Sequence, residues 1–359
     1  MIKHTLYSPT EMSGLYVVYK GSAAAEENSI KGASHLLEHL ICRQLKSLIR
    51  EMTQYAINFG ATTSDDFVCF CILGLEEYVQ QYECRFYDEL TKHMIFSQDD
   101  FDAEKNIVLR EIHTKHIHPA LQSIYQVLDH CMNYSGPAGT VSSVQSLTLE
   151  QIQNLYGRQY SEPYMTIRIG NKFSNQCTEI GEKHYLPPVV SLTKMNWHFP
   201  LMPPAKENVF MAISPVIPNS ELPFSQIINY LLCGPIESPI YKTLRDELQL
   251  CYTVEMNYFL LGDYHINYMY VVGHNNCSTA MKENVYQIIN HIDFLSEEKI
   301  AYAKNHFSIL SRMHDANRYA DVRHLLYNTI YSEGQLNIVN TSTILQHYDM
   351  YYKNKYISL

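Results

Sequence analysis

The chain of 359 residues lacks several patterns that fix a function class quickly. It has no basic excess. Lys and Arg number 27 against 37 Asp and Glu, a formal net charge of -10, and a nucleic-acid partner usually calls for a basic patch. No Cys-x-x-Cys occurs among the nine cysteines, whose only tight pair is CFC at 69–71, so neither a cysteine zinc site nor a disulfide framework is expected. Free thiols in a reducing compartment follow. No apolar run nears the roughly 18 residues of a membrane span, and the opening MIKHTLYSPTEMSG has no apolar signal core. A soluble cytoplasmic protein without a membrane span is the expectation. There is no Gly-x-Gly-x-x-Gly, no P-loop, no low-complexity tract and no residue-level repeat.

What is present reads as globular. Apolar residues make up 46% and charged residues 18%. The length is too great for one ordinary core, so two domains are expected. Residues 15–20 (LYVVYK) read as a strand, 33–58 as a helix and 60–74 as a strand. Helices follow at 76–94, 97–118 (with a Ser/Asp cap), 120–134 and 146–160, where Thr148 and Gln151 form a capping-box pattern, and 165–171 is a short strand. Around 172–207 the pattern gives way to LPPVV and FPLMPP, with little periodicity. The second half then repeats the order of the first: strand VFMAISPVI, helix FSQIINYLLC, helix SPIYKTLRDEL, strands CYTVEMNYFLL and YHINYMYVVG, then helices from about 278 to 350. The expected fold is α+β. It comprises two similar domains, 1–175 and 208–359, joined by a linker at 176–207. Each is a mixed or antiparallel sheet with helices packed on one side.

The chemistry concentrates in SHLLEH, residues 34–39. On a helix, His35 and His39 lie one turn apart on one face and can hold one zinc ion, with Glu38 beside them. This is His-x-x-Glu-His, the inverted form of a zinc-protease signature, and it places Glu38 as a general base rather than a ligand. An accidental pattern on a surface helix is the bland alternative. Among leucines, however, two unpaired imidazoles and a carboxylate are costly to bury, and a metal removes that cost. A third ligand must come from elsewhere in the chain. The segment EKNIVLREI offers Glu104 and Glu111, seven apart and on one helix face.

HLLEH followed some seventy residues later by E-x-x-x-V-L-R-E resembles the pitrilysin, insulysin and mitochondrial-processing-peptidase family of zinc metallopeptidases, in its short two-domain type. The resemblance extends over nearly the whole chain. It implies one zinc per chain held by His35, His39 and Glu111, with Glu104 supporting the site from behind and Glu38 as the catalytic base. It implies that the strand in GATTSDDFVCFCI binds extended peptide by β-addition. In GPIESPIYKTLRDELQLCYTV it implies that Arg245 and Tyr252 bind the substrate backbone. Without it, Arg245 reads as a partner of Asp246 or Glu247, and Tyr252 as a core residue.

The implied activity is metalloendopeptidase action on peptides or unfolded segments, including dedicated processing of a leader from a ribosomally made peptide. The alternative is a non-catalytic, structural or substrate-presenting subunit of such a peptidase. The family architecture makes each chain half of a clamshell chamber. A homodimer is the simpler expectation, because the chain carries both the zinc set and the Arg/Tyr pair; a heterodimer with a related chain is the other. The sequence departs from the family in having ICRQLK after His39, Gly60 in place of a common asparagine, and no full closing strand at KNKYISL. His113, His116 and His118 read as solvated helix-face residues, and Cys42 as an ordinary buried thiol.

Overall fold

Two strands buried along most of their length organise the first sheet. In the computed structural model these are β2 (Met12–Tyr19) and β4 (Val68–Leu75), which pair antiparallel with Tyr16 opposite Cys71. The structure describes residues 2–7, 10–19, 23–114, 119–132, 134–160, 162–170, 209–234, 237–262, 264–274, 277–316 and 339–358. The expected linker, 176–207, lies outside them. The chain divides into two compact units. One comprises 1–117, 128–190 and 316–325; the other comprises 118–127, 191–315 and 326–359.

The first unit holds a five-stranded sheet. With β1 (Ile2–Tyr7), β3 (Asn58–Thr63) and β5 (Met165–Gly170), its order is β1-β5-β2-β4-β3, and only β1 and β5 run parallel. Leu15, Val17 and Tyr19 of β2 and Val68, Phe70 and Ile72 of β4 share one face. They pack with Leu36, Leu37, Leu40 and Ile41 of helix α1 (Ala33–Gln44) in one core. The opposite face of these two strands is buried as well, at Tyr16, Val18, Cys69 and Cys71. That explains why LYVVY is apolar without interruption rather than alternating.

Three sequence expectations change here. The helix expected over 33–58 is two helices, α1 and α2 (Lys46–Thr53), meeting at Leu45; the chain then turns, with Ala56 at φ 54, into β3. The strand expected over 60–74 is a hairpin of β3 and β4. Ser64 folds the turn: its hydroxyl donates to the Phe67 carbonyl at 2.9 Å and accepts from Phe67 N–H at 3.0 Å. SDD was thus turn chemistry, not strand. Finally, β1 is an additional strand, whose only partner lies more than 150 residues away at Met165–Gly170.

Helices α3 (Glu76–Thr91), α4 (Gln98–Thr114), α5 (Pro119–Met132), α6 (Val141–Ser146) and α7 (Leu149–Gln159) follow. The expected caps are present. Ser97 Oγ accepts from Asp100 N–H at 3.1 Å, and Thr148 and Gln151 cap each other reciprocally.

The second unit holds an antiparallel four-stranded sheet of β6 (Val209–Pro218), β7 (Cys251–Leu261), β8 (Tyr264–Gly273) and β9 (Ile357–Ser358), in the order β7-β8-β6-β9. A two-residue closing strand therefore does exist. Helix α8 (Leu222–Cys233) leads to a short turn, α9 (Pro239–Tyr241), and then to a π-helix at Lys242–Glu247. Helices α10 (Ser278–Ile289), α11 (Glu297–Ala316) and α12 (Thr341–Tyr351) complete the unit. Their core joins Ile227, Ile228, Met269, Val271, Met281 and Tyr348. Both units are thus mixed α/β layers with largely antiparallel sheets, as expected.

Candidate active site

The site lies between α1 and α4 of the first unit. Helix α1 begins at Gly32, whose φ of 88° is left-handed; a Cβ there would meet the Ala138 carbonyl oxygen at 2.7 Å. The buried carboxylate of Glu26 accepts from Gly32 N–H at 2.7 Å and Ser34 N–H at 2.5 Å, and so caps the helix from the preceding loop. Burial pushes the Glu26 carboxyl up to about 7, against the opposing pull of the Ser34 and Gly32 hydrogen bonds and Lys31. These contacts fix where the motif one turn later points.

The four-residue spacing sets His35, His39 and Arg43 along one stripe of α1. Facing it on α4 are Glu111, Glu104 and Asp100, in antiparallel order. His35 Nε2 is 3.2 Å from Glu111 Oε2, and His39 Nε2 is 3.6 Å from Glu111 Oε1. The two imidazole centroids are 4.8 Å apart. One donor atom each from His35, His39 and Glu111 all lie within 4.8 Å of one another. Among the described residues this is the one grouping of three or more His, Cys, Asp or Glu able to hold a metal ion.

The donor set fits zinc. Ligand atoms about 2.0–2.1 Å from a tetrahedral ion lie about 3.3–3.4 Å from each other. The two imidazole–carboxylate separations, 3.2 Å to Glu111 Oε2 and 3.6 Å to Glu111 Oε1, lie on either side of that value. A lone His–Glu hydrogen bond explains one of them but not two Nε2 atoms directed at one carboxylate. The Glu111 side chain is 41% exposed whereas His35 and His39 are 10% and 17% exposed, so the site opens to solvent on the Glu111 side.

Glu104 is buried. Its Oε2 lies 3.3 Å from His39 Nδ1 and its Oε1 accepts from Arg43 Nη1 at 2.9 Å. Arg43 Nε also donates to Asp100, which holds the Asp100 carboxyl below the usual carboxylate range. Glu38 is buried beside the pair, with Oε2 3.7 Å from His35 Nδ1. Burial pushes its carboxyl up, but the interactions with His35, Thr63 and His39 outweigh that and hold it below its ordinary value. Thr63 Oγ1 donates to Glu38 Oε2 at 2.5 Å from the end of β3. Strand β3 is an edge of the sheet. Gly60 sits on it where a Cβ would meet Cys71 Sγ at 3.0 Å. Cys42, expected to be buried, is partly exposed, and burial of its thiol still pushes it far above its ordinary value.

Arg245 and Tyr252 lie in the second unit, both exposed, Tyr252 at 57%. Tyr252 is therefore not a core residue. The Arg245 guanidinium stacks 4.9 Å over the Tyr241 ring. Both occupy irregular backbone. Arg245 is in the π-helix, where Leu248 N–H reaches back to the Thr243 carbonyl at 2.9 Å. Tyr252 is the bulged residue of β7, between Cys251 opposite Gly273 and Thr253 opposite Val272. Gly273 allows this, since a Cβ there would meet the Leu250 carbonyl oxygen at 2.1 Å.

His113 is exposed, as expected, and His116 and His118 lie outside the described residues. Arg43, Asp100, Thr63 and Glu26 were not singled out from sequence. The first two had a signal: each continues a four-residue step, from His39 and to Glu104. The other two had none.

The family model described as insulinase (peptidase family M16) matches residues 3–130, and the model described as peptidase M16 inactive domain matches 198–307. No curated protein matches. Among solved structures, a protease from Helicobacter pylori aligns with a TM-score of 0.76 and 16% identity, over 99% of this chain and 95% of that one. A peptidase M16 inactive domain from Pseudomonas fluorescens aligns with a TM-score of 0.73 and 13% identity, over 99% and 94%. The periplasmic protease PqqL from Escherichia coli gives a TM-score of 0.70 and 13% identity, over 99% of this chain but 45% of that one. At such identities the structures speak for fold, while the two family models, matching in order and together covering more than half of the sequence, speak for descent: the chain belongs to peptidase family M16.

Proposed function

We propose that the chain is a zinc-dependent metalloendopeptidase acting on peptides or unfolded segments. The observation that carries this is the convergence of His35, His39 and Glu111 within 4.8 Å, with the buried carboxylate of Glu38 alongside. His35, His39 and Glu111 would hold the ion, which supplies Lewis acidity toward the scissile carbonyl when bound. Glu38, kept ionised and oriented by Thr63, takes a proton from the attacking water and returns it to the leaving amine. Edge strand β3 offers unpaired backbone groups for an extended substrate. Arg245 and Tyr252 donate to substrate carbonyls from the second unit.

A second reading, a non-catalytic subunit, draws support from the Pseudomonas neighbour and from the inactive-domain match. That match covers 198–307, however, whereas the metal-binding set falls within the stretch matched by the insulinase model. The chain equals less than half of PqqL, which supports a pairing of two such chains, most simply a homodimer. A heterodimer with a related chain is the competing arrangement. Among the described residues no helix is long and apolar enough to cross a membrane. Cys42, Cys69, Cys71, Cys84, Cys233, Cys251 and Cys277 are free, which suits a reducing compartment such as the cytoplasm.

The test is cleavage of a library of short peptides by the purified chain, beside Glu38→Gln and a chelated sample. Cleavage by the wild type alone supports the enzyme, and its cut sites begin to define the substrate. A zinc-loaded chain that cleaves nothing, alone or with a co-purifying partner, overturns it.

A further inference from the structure

The stripe on α1 does not end with the two histidines. Arg43 is its third member, and one arm of its guanidinium meets a buried carboxylate. Nη1 donates to Glu104 Oε1 at 2.9 Å, while the other oxygen of that carboxylate, Oε2, faces His39 Nδ1 at 3.3 Å. An ionised carboxylate only accepts, so Nδ1 is the protonated nitrogen of His39. Its Nε2 then carries the lone pair, and Nε2 is the atom 3.6 Å from Glu111. Dividing the two oxygens of Glu104 between Arg43 and His39 stops the carboxylate from rotating away from the imidazole. Asp100 accepts from Nε of the same guanidinium and fixes it from the far side. The guanidinium fork suits this double duty, because Nε and Nη1 point to different acceptors in one plane.

We propose that Arg43 is a positioning residue of the metal site. Through Glu104 it sets the tautomer and ring orientation of His39, and Asp100 anchors it. An ordinary tie between helices would serve stability alone; the sharing of one carboxylate with a ligand imidazole gives Arg43 an effect on metal affinity. The proposal rests on the metal reading above, and its consequence is specific to His39: His35 has no such brace, its Nδ1 lying 3.7 Å from Glu38.

The experiment compares the wild-type chain with Arg43→Met, Arg43→Gln and Arg43→Lys, using two readouts. Zinc affinity is measured by competition with a chromophoric chelator. The His39 tautomer is read in metal-free protein from long-range nitrogen–proton correlations of the imidazole, assigned with His39→Gln. Either neutral variant that keeps the wild-type circular dichroism suffices. It is expected to bind zinc about 10–100-fold more weakly and to populate the Nε2–H tautomer of His39. Arg43→Lys, with one charge but no fork, is expected between these and wild type. Wild-type zinc affinity together with an unchanged Nδ1–H tautomer in a folded neutral variant overturns the proposal. If the wild type itself binds no zinc, the metal reading fails, and the tautomer measurement on metal-free protein still decides the role of Arg43.

Discussion

His35 Nε2 and Glu111 Oε2, 76 residues apart in sequence, lie 3.2 Å from each other. Neither is placed there by its own helix. Glu26 and Gly32 fix the start of α1, and Ser97 caps α4. Replacing Glu111 with Gln keeps the shape and removes the charge a divalent ion requires. Zinc affinity is expected to fall by more than about 100-fold, beyond what loss of an outer partner costs. The wild type should melt higher when saturated with zinc, by about 2.7 kcal/mol at a hundredfold excess over Kd. Metal analysis and melting with and without chelator test this. A Glu111→Gln chain that still carries one zinc removes Glu111 from the ligand set.

Glu38 is expected to behave differently. Its replacement by Gln leaves the three donors in place, so zinc content is retained, while kcat falls by about 10²–10⁴ because proton transfer is lost. Parallel measurement of bound zinc and peptide turnover separates the roles. Loss of zinc in Glu38→Gln would make Glu38 a ligand instead of a base.

Thr63 reaches Glu38 from a different element, the edge strand, at 2.5 Å. Thr63→Val conserves shape and deletes the donor. We expect kcat to drop about 10–100-fold through misorientation of Glu38, with zinc content unchanged. An unaltered kcat would mean that His35 alone positions Glu38.

The histidine pair on α1 was legible because spacing on a helix is geometry: residues four apart share a face whatever surrounds them. Spacing made Glu104 and Glu111 legible as one face but did not divide their roles, since seven residues of separation leaves both in line with α1; only the family resemblance divided them. Arg43 and Asp100 continue the same steps, yet an arginine and an aspartate on amphipathic helices read as solvent charges until their facing is known. Thr63 was hidden by the misread hairpin. With 60–74 taken as one strand, nothing brought residue 63 to the strand end where it meets Glu38. Strand β1 escaped because its pairing is entirely long-range. Three strands of the second sheet, β6, β7 and β8, were read nearly to the residue, the last two because Gly262 and its flanking alternation mark a hairpin; the two-residue β9 was not.

Arg245 and Tyr252 both project from irregular backbone, a π-helix and a β-bulge, which re-aim side chains. If they hold substrate carbonyls, Arg245→Ala and Tyr252→Phe each lower kcat/KM by about 10–100-fold, the worth of a hydrogen bond to a charged or well-desolvated group. Neither alters bound zinc. Steady-state kinetics on one cleaved peptide, with metal analysis, checks this; unchanged kcat/KM in both leaves substrate binding to the first unit.

The second unit carries a buried polar network whose protons are fixed by one half-buried carboxylate. Glu221 Oε2 accepts from His347 Nδ1 at 2.9 Å, so His347 Nε2 accepts the Ser225 hydroxyl at 3.1 Å. Ser225 Oγ in turn accepts from His265 Nε2 at 2.9 Å and from Asn267 Nδ2 at 3.2 Å. Nδ1 of His265 is left buried without a partner. Burial, and secondarily the neighbouring His347, pushes His265 down to about 3; burial also lowers His347, against the pull of Glu221. Both imidazoles are therefore neutral in the folded chain while they titrate near their ordinary value when unfolded. Between pH 6.5 and the lower folded values the unfolded chain binds more protons, so stability is complete above about 6.5 and is lost as pH falls. For His265 the loss between pH 6.5 and 5 is about 2 kcal/mol, at 1.36 kcal/mol per pH unit. His265→Gln keeps a donor toward Ser225 and abolishes the titration. Its denaturation midpoint, followed by urea titration across this pH range, is expected to vary less steeply than that of the wild type. Equal slopes would place the acid sensitivity of the unit elsewhere than in this histidine.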